Sequence, residues 1–208
     1  MKKSIIGLIA IFGLLLYGCK STLQAVSSIP SDWTAATIPF KLNIEGNLSP
    51  SGKAYFEKHQ SVYLSVRYLG MEVLSVYADN DSVFMYDKMN GVLVGEKLGK
   101  NPYTGKRLDA GQIQDLLIGS NRNDKAIKLN IASLGINLTV GEKINSLITR
   151  WDANVINDKT GREMNANLTW NYAGADWNPS NISKWKKPSK PKRRVELENL
   201  LIALSNQL

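Results

Sequence analysis

Met164-Asn165-Ala166-Asn167-Leu168-Thr169-Trp170-Asn171-Tyr172 is the stretch whose reading decides the fold. Apolar and polar residues alternate through it without a break. Successive side chains of a strand point to opposite faces, so Met164, Ala166, Leu168, Trp170 and Tyr172 share one face. Asn165, Asn167, Thr169 and Asn171 share the other. A helix would scatter the same residues around its circumference. The stretch is therefore a half-buried strand, with one face in a core and one in water.

The same period recurs on either side of turn signals. Leu147, Thr149, Trp151, Ala153 and Val155 line one face of the preceding strand, and Asp158-Lys159-Thr160-Gly161 turns the chain between the two. Ile127, Leu129 and Ile131 alternate with Lys128 and Asn130. Nearer the N-terminus, Phe40, Leu42, Ile44 and Leu48 oppose Lys41, Asn43, Glu45 and Asn47. Ser49-Pro50-Ser51-Gly52 reads as a turn, with a returning strand from Lys53 to Lys58. Val62, Leu64, Val66 and Tyr68 follow; Leu69-Gly70 breaks the pattern, and Met71 to Ala78 resumes it. Asp79-Asn80-Asp81 turns into Ser82 to Tyr86, and Asn90-Gly91, both tolerant of positive φ, is a hairpin signal leading into Val92-Leu93-Val94. Short strands joined by such turns predict an antiparallel meander rather than βαβ units.

One internal helix is expected. Asp109 stands at an N-cap position, Ile113, Leu116 and Leu117 fall three and four apart, and Gly119 closes the segment. The fold class is thus mainly β: one strongly curved antiparallel sheet or incomplete barrel over about residues 37–173, with this helix as a lid on its concave side. Phe40, Leu42, Ile44, Val62, Leu64, Val66, Leu129, Ile131, Trp151, Leu168 and Trp170 are expected to face inward and line a cavity, with Ile113, Leu116 and Leu117 turned in from the lid.

The chain begins with Lys2 and Lys3, an apolar run from Ile5 to Leu16, and then Leu16-Tyr17-Gly18-Cys19. The run is shorter than the roughly 20 residues that span a bilayer. A basic start, a short apolar middle and a small residue before the cut are a secretory signal. The last four residues resemble the bacterial lipobox, which implies diacylglyceryl attachment at Cys19. Cys19 is the only cysteine, so no internal disulfide is available. The expected organisation is a lipoprotein signal over 1–18, the lipidated Cys and a tether rich in small residues over 19–36, the curved-sheet domain over 37–175, and a tail over 176–208.

The formal charge is +8. Loss of Lys2 and Lys3 leaves +6, and the seven basic residues of Lys184–Arg194 account for more than the remainder, since the rest then carries −1. Basicity belongs to the tail. For an exported protein this argues against nucleic acid as a partner, and for acidic lipid head groups or an acidic protein. In the segment Val195–Leu208, Leu197, Leu200, Leu201, Leu204 and Leu208 make one helical stripe. It either docks on the sheet or binds a partner or membrane.

No catalytic constellation is found. His59 is the only histidine, Asp79 and Asp81 read as a turn, Gly91, Gly95 and Gly99 lack the ending of a phosphate loop, and no cluster has metal-ligand spacing. The expectation is a protein that is not an enzyme and holds no cofactor. The triplets beginning at Asn47, Asn137 and Asn167 match a glycosylation signal by chance, and Asp81-Ser82-Val83 marks a hairpin turn.

Ser65-Val66-Arg67-Tyr68-Leu69-Gly70-Met71-Glu72-Val73, followed by Asp81-Ser82-Val83 and by the helix Leu108 to Gly119, resembles a family of uncharacterised lipoproteins of Bacteroidota. The match covers roughly residues 38–172. That family is similar in turn to the lipoprotein-localisation proteins, the periplasmic carrier and the outer-membrane receptor of the Lol pathway. The resemblance implies a half-barrel with a helical lid over a cavity for acyl chains or acylated cargo. It also implies an outer-membrane address facing the periplasm, because Lys20-Ser21-Thr22 lacks the acidic residues associated with surface export. The receptor's protruding apolar loop has no counterpart identifiable in the sequence. Two functions remain open: a lipid-handling receptor or chaperone, and a scaffold acting through its basic tail and terminal helix.

Overall fold

The computed structural model describes residues 28–45, 49–97, 109–118, 127–131, 134–144 and 147–195. The signal and lipobox, Gly119 and the terminal leucine stripe lie outside these residues. Within them the chain builds a single twelve-stranded sheet. A first meander runs through β1 (Ala35–Ile44), β2 (Ser51–Glu57), β3 (Ser61–Tyr68), β4 (Met71–Ala78), β5 (Ser82–Asp87) and β6 (Val92–Lys97). Helix α1 (Ala110–Ile118) follows. A second meander then runs through β7 (Ile127–Ile131), β8 (Leu134–Ile144), β9 (Leu147–Asn157) and β10 (Glu163–Trp170). β10 returns beside β1 and joins the two meanders, with Phe40 opposite Trp170 and Leu42 opposite Leu168. β11 (Asp176–Trp177) and β12 (Arg193–Val195) complete the set. The order is β12-β6-β5-β4-β3-β2-β1-β10-β9-β8-β7, open at both ends rather than closed into a barrel.

Curvature follows from the position of α1, which touches both β3 and β9. Those strands stand four places apart in the sheet. Flat, that separation is about 19 Å at ~4.8 Å per strand, wider than the roughly 10 Å of a helix. One helix meets both only because the sheet curls around it. The inner face carries Ile38, Phe40, Leu42, Phe56, Val66, Leu74, Met85, Trp151, Leu168 and Trp170, all buried in one cluster.

Several local expectations hold for the stated physical reasons. The Asp109 carboxylate accepts from the Gln112 backbone N–H at 2.8 Å and Gln112 Oε1 accepts from the Asp109 N–H at 3.3 Å, a reciprocal capping box at the start of α1. Asp79 Oδ1 accepts from the N–H groups of Asp81 and Ser82, so the acidic pair makes a turn. The hairpin after β5 turns through Asn90-Gly91, with Gly91 at φ +66°.

Other expectations are corrected. Ser51 and Gly52 belong to β2 rather than to a turn. Gly52 lies beneath the Phe40 ring, where a Cβ would sit 2.3 Å from Cζ; the glycine serves packing, not chain reversal. β8 is a separate strand that the turn signals do not announce, although Ile136, Leu138 and Val140 alternate along it. Nor does the sheet end at residue 175. β11 extends the ladder along β1, and β12 adds a parallel strand beside β6.

Between these two short strands the segment 178–192 crosses the outer, convex face as a strap. Asn178 anchors its start, its side-chain oxygen accepting from the Thr34 N–H and hydroxyl at 2.6 and 2.9 Å. Trp185 then stacks on Tyr77 and Phe84, with ring centroids at 4.7 and 5.3 Å. Lys184 pairs with Glu57 at 3.2 Å, and the Lys187 ammonium stands 4.2 Å over the Phe84 ring. The basic tail read from composition is thus extended, as its prolines imply, but laid against the sheet.

Candidate lipid-binding surface

Of the residues expected to face inward, Phe40, Leu42, Ile44, Val62, Val66, Trp151, Leu168 and Trp170 are buried in the common core, and Leu64 is partly buried against it. Leu129 and Ile131 lie on β7 opposite Ile136 and Leu134, and their side chains lie outside the described residues. The strands thus bring the nine described members of the set onto one surface, as their registers require. Trp170 anchors it, touching Phe40 edge-on at 5.7 Å and Phe56 at 6.1 Å.

Helix α1 is pinned over this surface at both ends. The last carbonyls of a helix have no intrahelical donor. Here the Leu117 carbonyl accepts from the indole N–H of Trp151 and from that of Trp170, each at 3.1 Å. Two inward tryptophans thereby satisfy both their own buried donors and the helix end. At the other end, the Ala110 N–H donates to Asn80 Oδ1 at 2.9 Å. Gln114, buried, holds the β2–β3 turn: its amide donates to the carbonyls of Glu57 and Ser61 and accepts from the His59 N–H. His59 sits in that turn at φ +56° and acts through its backbone.

The lid residues divide. Ile113 and Leu117 pack on the core, whereas Leu116 is half-exposed and outside the cluster. The helix face turned most fully inward is Ala110, Gly111, Gln114 and Ile118. Sequence reasoning overlooked Gln114, because a glutamine on an amphipathic helix reads as solvent-facing until three backbone groups of a turn are placed around it.

A second apolar feature lies at the end of the sheet away from the α1 N-terminus. The β3–β4 and β5–β6 turns meet this end together, and their tips expose Leu69 at 82%, Met71 and Met89 at 67% each, and Tyr68 at 39%. Leu69 has φ +50° and Gly70 +81°, the two positive angles of a tight two-residue hairpin turn. Gly70 takes that conformation freely. A leucine there costs about 1–2 kcal/mol, and an exposed side chain returns little of it by packing. Arg67 is exposed beside this tip. Lys88 pairs with Glu72 at 2.9 Å, Lys192 lies against Gly91, and the Arg193 N–H donates to the Gly91 carbonyl at 3.2 Å. Apolar tips and basic side chains share one end of the molecule.

Burial raises the Tyr172 phenol, whose O–H donates to the Ile148 carbonyl at 3.0 Å. The Tyr63 phenol is raised first by burial and then by the charge of Glu72, to which it donates at 3.0 Å. Among the described residues no three His, Cys, Asp or Glu side chains come together as a metal site, and no helix is long and apolar enough to cross a membrane.

The fold and this surface define an open, curved antiparallel β-sheet with one helix latched inside it. No family model and no curated protein matches the chain. Among solved structures it is similar to an uncharacterized conserved protein from Thermus thermophilus, at 8% identity and a TM-score of 0.36, over 79% of this chain and 91% of that one.

Proposed function

We propose that this protein is a lipid-handling lipoprotein, anchored through Cys19 in the outer membrane on its periplasmic side. It engages a bilayer with its hairpin tips and takes an acyl chain or acylated cargo between α1 and the inner face. The observation that carries this reading is Leu69. An exposed leucine in a left-handed turn conformation stabilises nothing in the fold, and strain of this kind points to a function outside it. Met71, Met89 and Tyr68 widen the apolar tip, and the basic residues around it suit acidic head groups at roughly 1 kcal/mol each. A protruding apolar hairpin is also what the resemblance to the lipoprotein-localisation receptor calls for.

Chain length permits this orientation. The described chain enters at the end of the sheet opposite the tips, where Ala35 of β1 pairs with Glu57. Cys19 stands ten positions before Ile29, a reach of at most about 35 Å. An eight-residue strand is only about 27 Å long. An anchor in the same membrane that the tips enter is therefore within reach. Uptake requires α1 to lift, releasing both indoles from Leu117 and Gln114 from the β2–β3 turn.

Flotation of the unacylated polypeptide with vesicles of phosphatidylethanolamine and phosphatidylglycerol tests the tip. Binding is expected, and Leu69→Asp with Met89→Asp should abolish it at unchanged melting temperature. Equal flotation of that variant would refute the role of the tip. Uptake of a fluorescent fatty acid tests the inner face separately. A specific observation favours the rival scaffold reading: Leu168 and Trp170 are 0% exposed, so the inner face is filled while α1 is latched. Absence of uptake, together with vesicle binding that depends only on Lys184–Arg194, would decide for the scaffold.

A further inference from the structure

The outer face of the second meander, together with the adjoining β1, carries a different surface. Strand register aligns its outward side chains into rows: Lys41, Thr169, Arg150 and Glu142; then Asn43, Asn167, Asp152 and Thr139; then Asn165, Asn154 and Asn137. No apolar side chain enters these rows. They surround a groove of about 280 Å³ lined by Asn137, Thr139, Arg150, Asp152, Asn154 and Asn165, with Ala153 and Ala166 between them. That volume is near the lower end of the roughly 300–1,000 Å³ typical of small-ligand sites.

The groove is shaped by a bulge. The β8–β9 register slips between Val140 and Glu142, placing Gly141 opposite the Arg150–Asp152 pair. A Cβ at Gly141 would stand 1.9 Å from Asp152 Oδ2 and 2.5 Å from Arg150 Nε. Only glycine lets that pair lie flat across the floor. Arg150 Nε meets Asp152 Oδ1 at 3.2 Å, and Arg150 Nη2 donates to the Gly141 carbonyl at 3.3 Å.

Charge at the floor is therefore compensated internally. What remains is hydrogen-bonding capacity, most of it on neutral amides and hydroxyls. Asn154 donates to Asn165 Oδ1 at 2.9 Å, Asn43 donates to Asn167 Oδ1 at 2.9 Å, and Thr139 donates to the Asp152 carbonyl at 3.2 Å. In this lattice Asn137 Oδ1 at the groove, and Asn167 Nδ2 and Thr169 Oγ1 in the rows beside it, are buried without a hydrogen-bond partner within the protein, as is Arg150 Nε, which meets Asp152 only as an ion pair. Two are donors, one is an acceptor, and the hydroxyl is both. Buried polar atoms of this kind are rare in native folds, and each costs about 1–3 kcal/mol unless something outside the chain pairs with it.

We propose that this groove binds a neutral carbohydrate. A ligand matched to it must offer donors and acceptors in several directions, meet the small apolar patches of Ala153 and Ala166, and carry no net charge, because Arg150 and Asp152 already pair with each other. A polyhydroxylated sugar, with hydroxyls around its ring and C–H groups on its faces, meets these conditions.

Calorimetric titration of the full-length protein, in a zwitterionic detergent without sugar head groups, tests this. The probes are the neutral trisaccharides chitotriose and maltotriose, with trigalacturonate as the anionic comparison. Saturable binding of at least one neutral probe is expected. It should weaken about tenfold or more in Asn137→Leu and in Asn154→Leu, as expected when a ligand hydrogen bond to each amide is lost. Thr139→Val, a smaller change, serves if either variant fails to fold, and should weaken binding while leaving the melting temperature near that of the parent. Three results would each overturn the proposal: no saturable binding of either neutral probe at millimolar concentration, binding undiminished in the folded variants, or trigalacturonate binding as tightly as the neutral sugars.

Discussion

Inside the sheet, Trp170 and Trp151 hold α1 by donating to one helix-end carbonyl; outside it, Trp185 holds the strap by stacking on Tyr77 and Phe84. Both covers are fastened by tryptophan, but under opposite conditions. The inner indoles are buried, so their N–H groups must be paired, and the pairing fixes where the helix can sit. The outer indole is half-exposed, and its N–H reaches only Ser75 Oγ at 3.4 Å. Stacking, which tolerates sliding, does most of the fastening there. With its two sides closed so differently, the sheet should open at a lower cost on the outside than on the inside.

The sharpest way to break this comparison is Trp170→Ala. It removes a fully buried ring, its contacts with Phe40 and Phe56, and one of the two bonds to Leu117. A loss of about 3–5 kcal/mol is expected in urea unfolding. Leu168→Trp should cost about 1–3 kcal/mol by overpacking the same face, whereas Leu64→Trp, at a partly buried position, should cost less. Similar losses at the two positions would show that the inner face is packed more evenly than their burial suggests. On the outside, Trp185→Ala should cost only about 1–2 kcal/mol, the scale of two stacked contacts. Hydrogen exchange should then quicken at the β12–β6 edge while the α1 contacts stay protected.

The smallest effect concerns the two raised tyrosines. Each folded-state pKa lies above the ordinary value of 10.0, so the neutral phenol is favoured by folding. Their contribution is fully present below pH 10 and is lost as pH rises above it, because the unfolded chain releases these protons first. Tyr63→Phe should flatten the alkaline fall in stability with little change at neutral pH. Tyr172→Phe should flatten it too, but at about 1 kcal/mol lower stability throughout, since its bond to the Ile148 carbonyl is lost. Thermal melts between pH 8 and 11 would resolve the two.

Local chemistry made much of this molecule legible. Period two placed Phe40, Leu42 and Ile44, and again Ala166, Leu168 and Trp170, on one face, because alternation is a property of the strand itself. Asp109 announced the start of α1, Leu69-Gly70 the break between β3 and β4, and Asn90-Gly91 the hairpin after β5. Of the candidate site, the inward apolar set was readable for the same reason. The apolar tip was not, since Leu69 is an ordinary leucine in sequence and becomes unusual only when its φ and exposure are known.

What tertiary structure alone decided is where partners come from far along the chain. Gly52 resembles a turn residue until the Phe40 ring lies over it. Gln114 resembles a surface residue until the β2–β3 turn closes around its amide. Trp185 and its basic neighbours resemble a free tail until Tyr77 and Phe84, about a hundred residues earlier, offer a stacking surface. Gly141 and the Arg150–Asp152 pair make a groove only when the β8 bulge sets them face to face. Periodicity encodes which way a side chain points. Which distant group it then meets depends on register and curvature, and these are settled only when the whole sheet is assembled.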